Sequence, residues 1–550
     1  MLARSRQLPG FIILIVGMAV GLLTFRSYGL SWDEPLFYDY AAALPYAYSP
    51  TAWLSGHFDL EQAFGSSASD HANRGPAYLL LARPVESLLE RLGLDLADAW
   101  HLTNFIAFQL GVFLIFYQLC LRWMRPWPAA ATTALLVTQP LLWGHAFINP
   151  KDVPFLLLFT AAFWAGIEYV DASVDPGTTR SRRVVLLLAA SGVLGIATSV
   201  RVIAPLAGVL VVVYAAQVHV VARPRSALTR SLGPILAYAA IALLTTIVFW
   251  PYLWPAPLQR LVEVIKTMSS NPTQLAVLFR GQVWRAGALP RSYLPILLNV
   301  QLTEPVWPVL GAGLLVGIRR LWRSRPRTSL AEAGAPKQQV DLARQRPQPA
   351  EFLLAFAWFA VPVLHVLVVR PPMYDGFRHF LFILPPVFLI GGLALDAASS
   401  AIKRPWVSAG AVAVMLIPGL FAIARLHPYE YAYYNSFVGG PAGAFRSFET
   451  DYWLTCYKES LLTLDSTVTA REDVFVRREP MIATYYSGSK LTVRDYRTES
   501  ANVVAGDYIL VNTRSNEDLS TARDATVVFR VGRAGATFCV VKRVPQSEAE

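Results

Sequence analysis

The residues of this chain that could do chemistry stand just past the ends of long apolar runs. The first such run gives way directly to Ser31-Trp32-Asp33-Glu34-Pro35, two adjacent carboxylates where a membrane helix leaves the bilayer. Charge in that position is costly and tends to be functional. Two neighbouring carboxylates can supply a general base, with the second holding an acceptor or raising the first one's pKa. The plainer alternative is that they mark the watery end of a helix.

Two further constellations recur at apolar-run ends, and a third lies within the first outer loop. Asn149-Pro150-Lys151-Asp152-Val153-Pro154 fills a very short turn, where flanking prolines make a rigid mount able to present an ammonium to a phosphate. Tyr374-Asp375-Gly376-Phe377-Arg378-His379-Phe380 runs into Leu384-Pro385-Pro386 and sets Arg378 at lipid-phosphate depth. His71-Ala72-Asn73-Arg74-Gly75-Pro76 precedes an expected helix start, where His71 could equally be structural. Arg201 also falls at a run end, although arginines there often only snorkel. Together these predict an active site at a membrane surface, with acids for an acceptor and bases for an anionic donor.

The elements that must position these residues are membrane helices. The chain has 550 residues, 54% of them hydrophobic and only 15% charged, against roughly 25% charged in a soluble domain. Apolar stretches long enough to span recur about eleven times, near 9–30, 102–121, 129–145, 153–170, 184–200, 203–222, 232–253, 294–318, 352–369, 380–398 and 407–424. The N-terminus resembles a signal peptide but lacks a small-residue cleavage site and is read as a retained anchor. A net charge of +11 could indicate nucleic acid, but the basic residues lie in short clusters between apolar runs, which is topology signal.

Every second connection carries those clusters: Arg4 and Arg6; Arg122 and Arg125; Arg180, Arg182 and Arg183; Arg223, Arg225 and Arg230; the stretch from Arg319 to Arg346; then Lys403 and Arg404. The positive-inside rule makes these connections cytoplasmic, with the C-terminus outside and the chemical motifs on the outer face. Residues 1–424 are thus a transmembrane catalytic domain whose first outer loop is 31–101. In 255–292 the spacing of Leu258, Leu261, Val262 and Ile265 suits a helix lying in the interface plane. Residues 322–350, rich in Ala, Arg, Gln and Pro, read as a flexible cytoplasmic loop.

Residues 425–550 lose the long apolar runs. A helix carrying Trp453, Cys456 and Leu461 is expected, then strands near 474–476, 491–493, 508–511, 525–531 and 537–541: a small extracytoplasmic α/β domain. Three cysteines form no metal-ligand spacing; Cys456 and Cys539 share this domain, which leaves one bridge open. His57, Asp59, Asp70 and His71 could hold a metal, but no spacing enforces it, so a divalent cation is not indicated and no cofactor is required. There is no glycine-rich phosphate loop and no internal repeat.

Taken together, Asp33-Glu34 opening the first outer loop, Asn149-Pro150-Lys151-Asp152, Arg378-His379-Phe380 before Leu384-Pro385-Pro386, and Tyr433-Tyr434-Asn435 to Gly439-Gly440 followed by Asp451-Tyr452-Trp453 resemble the GT-C superfamily of polyprenyl-phosphate-sugar-dependent glycosyltransferases. Within it they are similar to the family 39, protein O-mannosyltransferase-like group that includes aminoarabinose transferase-like enzymes. Many members carry a His-Pro-Pro-like element where this chain has His71 to Pro76. The resemblance implies a bacterial-type inner or plasma membrane glycosyltransferase of the cell envelope, with the catalytic acid at Asp33 and Glu34 beside it. Lys151, Arg378, Arg74 and Arg201 would bind the donor phosphate. His71, Asn149, Asp152, Tyr374, Asp375 and His379 would line the pocket. The partners implied are a polyprenyl-phosphate-linked sugar donor, a lipid, glycan or protein acceptor, and membrane lipids, with no nucleic acid.

Two other classes stand as alternatives. A polysaccharide or lipid-linked sugar transporter would place its charges near the bilayer midplane, often with internal repeats. An O-antigen ligase or polymerase-like enzyme would transfer a glycan rather than one sugar. The topology makes its own prediction: protease added to the outer face of intact cells releases the 425–550 domain, read by immunoblot, and protection of that domain overturns the orientation.

Overall fold

In the computed structural model, residues 2–66, 71–222, 227–270, 274–323, 349–402 and 404–545 are described, with side chains throughout except at 2–5, 219–222, 227–232 and 270. The protein is a polytopic α-helical membrane protein. Seven described helices are long and apolar enough to cross a bilayer: Arg6–Ser27, Leu96–Trp123, Asp152–Val174, Arg180–Thr198, Pro349–Val369, Arg378–Ala401 and Pro405–Leu426. Two shorter apolar helices, Pro205–Val218 and Gly233–Val248, fall where spans near 203–222 and 232–253 were expected.

Two of the eleven expected spans are broken. The stretch near 129–145 is Pro126–Val137 followed by Pro140–Ile148, and that near 294–318 is Tyr293–Gln301 followed by Val306–Arg323. Pro140 and Pro305 cause the breaks: a proline has no N–H to continue the ladder and pushes the preceding residue out of the helical region. Broken backbone inside a bundle needs new hydrogen-bond partners. The two breaks supply them to each other, since Thr303 N donates to Gln139 Oε1 at 3.0 Å and Gln139 Nε2 to Thr303 Oγ1 at 2.9 Å. The half-helix Pro140–Ile148 thereby ends at Asn149, at the head of the Lys151 turn.

Burial separates the helices into layers. Asp152–Val174 and Arg378–Ala401 are each 72% buried over their apolar window and form the centre, whereas Pro405–Leu426 is 11% buried and shows Val414, Ile417, Leu420 and Phe421 outward. One end of the bundle is closed by Arg122, which pairs with Glu168 at 2.7 Å, Asp171 at 2.6 Å and the buried Glu351 at 2.9 Å. The opposite end carries the chemical motifs. There the helix Pro257–Ser270 exposes Leu258, Val262, Ile265 and Met268, the apolar face expected of an interfacial helix. The hairpin β1 (Ala276–Phe279) and β2 (Gln282–Arg285) that follows was not foreseen. The expected flexible loop 322–350 lies largely outside the described residues.

The C-terminal region holds a five-stranded sheet of β3 (Glu472–Val476), β4 (Leu491–Asp495), β5 (Tyr508–Asn512), β6 (Thr526–Arg533) and β7 (Ala536–Arg543), in the order β4-β3-β5-β7-β6. The β3 strand runs parallel to β4 and β5, while β7 is antiparallel to β5 and β6. All five strands fall where alternation placed them. The expected helix begins at Cys456, so Trp453 lies in the turn before it rather than on it. Cys456 and Cys539 are disulfide-bonded, joining that helix to β7.

Candidate functional site

Local turns aim the side chains before any long-range contact forms. Ser31 Oγ donates to Ile148 O at 3.0 Å, so the Asp33 turn is pinned to the end of the half-helix Pro140–Ile148. One residue on, Asn149 Oδ1 accepts from Lys151 N at 3.1 Å and Asp152 N at 2.8 Å, an Asx-type turn that starts the helix Asp152–Val174. Gly75 is required by close approach: a Cβ there would collide with Ser199 O. That contact brings Arg74 to the turn holding Arg201. Asp375 and Gly376 both adopt left-handed backbone, with φ of 56° and 68°, and turn Arg378 inward.

Arg378 is the meeting point. Its guanidinium lies 3.4 Å from Asp33 Oδ2, 3.2 Å from Asp152 Oδ2 and 3.1 Å from Asp375 Oδ2. Trp453 covers it at 4.9 Å from Cζ to ring centroid, and Tyr374 at 5.5 Å. Asp152 also pairs with Arg201. Of the three carboxylates, Asp33 alone keeps real exposure, 23% against 1% for Asp152 and 5% for Asp375. Asp152 and Asp375 hold cations in place, and Asp33 can also reach a substrate.

The surrounding field is cationic. Burial alone would raise the Asp33 pKa, but Arg378, then Arg74, His71 and Lys151, outweigh it and hold the carboxyl below its ordinary range. Lys151 is pushed the other way, well below the usual lysine value, first by burial and then by Arg201 and Arg74. Lys151 and Arg74 form no ion pair among the described residues, and the Lys151 ammonium lies 5.4 Å over the Phe37 ring. His71 is buried against the other side of the site, edge-on to the same ring at 5.2 Å, and His379 is edge-on to Tyr374 at 5.0 Å. An anion entering here would meet two cations with unspent charge and would relieve their mutual repulsion.

Glu34 sits apart from this cluster. Its carboxylate is fully buried and turned into the core, where it accepts from Ser31 N and Tyr38 Oη and lies 3.1 Å from His101 Nε2. The adjacent acids therefore have separate surroundings, and Glu34 ties the turn that presents Asp33. Residues that sequence reasoning passed over also line the site. His145 Nε2 lies 2.9 Å from Tyr452 Oη and its Nδ1 3.2 Å from Asn149 Nδ2; its place four residues before Asn149 was the signal for it. Arg514 is 2.6 Å from Asp375 and had no local signal at all. Among the described residues no group of three or more His, Cys, Asp or Glu could hold a metal ion, and Asp70 lies outside them.

No family model and no curated protein matches the chain. Solved structures similar to it include ArnT from Cupriavidus metallidurans in the apo state, at 15% identity over 98% of each chain with a TM-score of 0.48. The same protein bound to undecaprenyl phosphate matches at 15% identity over 96% of this chain and 97% of that one, with a TM-score of 0.46. The archaeal oligosaccharyltransferase AglB from Archaeoglobus fulgidus, in complex with an inhibitory peptide and a dolichol-phosphate, matches at 10% identity over 94% of this chain and 70% of its own, with a TM-score of 0.49. At these identities the chemistry must be argued from the chain's own residues.

The different burial of the two adjacent acids yields a prediction. Glu34→Ala leaves Ser31 N and Tyr38 Oη without an acceptor in a dry interior and should cost about 2–4 kcal/mol of stability. Asp33→Ala should leave the melting temperature in detergent within a few degrees of wild type. A Glu34→Ala protein that melts like wild type would contradict the structural role of Glu34.

Proposed function

We propose that this protein is a membrane glycosyltransferase that moves a sugar from a polyprenyl-phosphate donor to an acceptor hydroxyl on the outer side of the membrane, by direct displacement with inversion. The observation that carries this reading is a single partly exposed carboxylate, Asp33, held charged among cations of which Lys151 and Arg74 form no ion pair among the described residues. The acceptor oxygen attacks the anomeric carbon from the face opposite the phosphate, and its proton passes to Asp33. The bond from the anomeric carbon to the phosphate oxygen breaks, and polyprenyl phosphate leaves as an anion. Unlike most glycoside hydrolysis, the reaction needs no strong general acid, because the leaving group is already stable with its charge.

Lys151, Arg74 and Arg201 are assigned to the donor phosphate, with Arg378 fixing Asp33 against it. Each well-placed donor to a growing charge is commonly worth about 3 kcal/mol in rate. Holding both substrates at the bilayer surface supplies part of the rest by proximity. Arg378 stands among Asp33, Asp152 and Asp375 and supplies the positive charge that gathers them. The transfer is therefore proposed to proceed without a metal. The C-terminal domain overlies the Asp33 turn and is the proposed place of acceptor choice.

The test is transfer from a panel of radiolabelled polyprenyl-phosphate sugars to membrane acceptors, run both with and without EDTA. Wild type should transfer label from at least one donor, and Asp33→Asn should lose ~1,000-fold or more, the upper range for a general base together with its charge. Near-normal transfer by Asp33→Asn removes the base assignment, and no transfer from any donor removes the function.

A pH profile tests the phosphate site separately. The depressed Lys151 pKa means that kcat/KM falls as pH rises through it, earlier than an ordinary lysine would allow. Lys151→Arg keeps its charge and should move that fall to higher pH. An unchanged alkaline limb would assign the fall to another group.

A further inference from the structure

We propose that Arg514, supplied by the C-terminal domain, is a positioning residue of the transferase site: through Asp375 it sets how Arg378 shares its guanidinium with Asp33. This inference rests on the glycosyl-transfer reading above. Arg514 lies 139 residues from Asp375 in the chain and is buried, 1% exposed. Its Nη1 is 2.6 Å from Asp375 Oδ1 and donates to Tyr452 O at 2.7 Å. The other Asp375 oxygen, Oδ2, belongs to Arg378. Charges thus alternate from Arg514 to Asp375 to Arg378 to Asp33.

The physical argument is one of competition. Arg378 Nη2 faces both Asp375 and Asp33, at 3.1 and 3.4 Å. With Arg514 in place, half of the Asp375 charge is already engaged. Without it, Asp375 becomes a full buried anion with Arg378 as its nearest cation, and the guanidinium is drawn away from Asp33. Arg514 also reaches the Asp33 turn from above, since its Cζ lies 5.2 Å over the ring of Trp32, the residue before Asp33.

A lever of this kind works only from a rigid mount, and the 512–518 segment is one. Arg514 N donates to Asn512 Oδ1 at 2.8 Å, and Ser515 N and Oγ both donate to the buried Glu449. Ser515 and Asn516 hold left-handed φ of 52° and 59°. Asp518 is gripped by both terminal nitrogens of Arg446 at 2.6 Å each. Asn512 Nδ2 donates to Cys456 Sγ at 3.3 Å, so the disulfide anchors the segment beside Trp453, which covers Arg378. None of these contacts requires the donor or acceptor, so the mount is present before substrate arrives.

The test uses the full-length protein in nanodiscs, with the polyprenyl-phosphate sugar that wild type uses and rates expressed per monodisperse protein. Arg514→Gln should lower kcat about 10-fold or more while the donor KM changes less than about 3-fold, because Arg514 touches no substrate. Arg514→Lys keeps the charge without the planar fork, is expected to fold, and should lose kcat about 3-fold or more. In the Asp375→Asn background the lever is gone, so adding Arg514→Gln should change kcat less than about 2-fold. Wild-type kcat in Arg514→Lys overturns the inference, as does an Arg514→Gln effect that persists in full beside Asp375→Asn. A wild-type protein that transfers from no donor overturns the glycosyl-transfer reading and this inference with it, whereas an active wild type with indifferent Arg514 variants overturns this inference alone.

Discussion

One buried guanidinium organises the site. Arg378 is 6% exposed and within 3.4 Å of three carboxylates from three separate parts of the chain. An unpaired charge at that depth would cost several kcal/mol, and so would any one of the buried acids left alone. Arg378 and the two buried acids Asp152 and Asp375 are therefore stable only together. The arrangement forces the turn after the first helix, the Asn149–Asp152 turn and the Asp375–Gly376 corner to meet. The left-handed φ of Asp375 is a strained conformation for a residue with a side chain, and the two arginines that engage its oxygens hold it there.

Around that centre the two adjacent acids diverge. Both follow the same apolar run, yet Glu34 faces Tyr38 and His101 in the core while Asp33 faces Arg378 and solvent. A helix starts at Glu34, and successive positions on a helix point about a quarter-turn apart, so neighbours in sequence need not share surroundings. The cationic excess follows the same logic of burial. Asp33, Asp152 and Asp375 balance Arg201, Arg378 and Arg514, which leaves Lys151 and Arg74 to meet an anion from outside.

The C-terminal domain is part of this construction rather than an appendage. Trp453 and Arg514 reach the Arg378 cluster directly, and the Cys456–Cys539 disulfide ties the Trp453 segment to β7, which pairs with the strand preceding Arg514. The β1–β2 hairpin extends the same junction, where Leu278 N donates to Glu449 at 2.8 Å and Ser515 Oγ to Ala276 O at 3.2 Å. Domain and bundle thus share buried polar partners, and their register is defined by hydrogen-bond geometry as well as by apolar packing.

Much of this was legible in the residues alone, and the division has a physical cause. Apolar length and strand alternation are local properties, so the membrane class, the positions of the helices and all five C-terminal strands could be read from composition and period. Asp33, Lys151, Arg201 and Arg378 could be nominated because charge at the end of an apolar run is costly wherever the fold takes it, and Arg74 from its place before Gly75-Pro76. The breaks at Pro140 and Pro305 were also local, but that Gln139 and Thr303 would satisfy each other across 164 residues was not. Nor could the sequence separate the roles of Asp33 and Glu34, or single out Arg514 among many surface-like arginines. Those outcomes depend on which side chains become buried partners, and burial is decided only when distant segments pack.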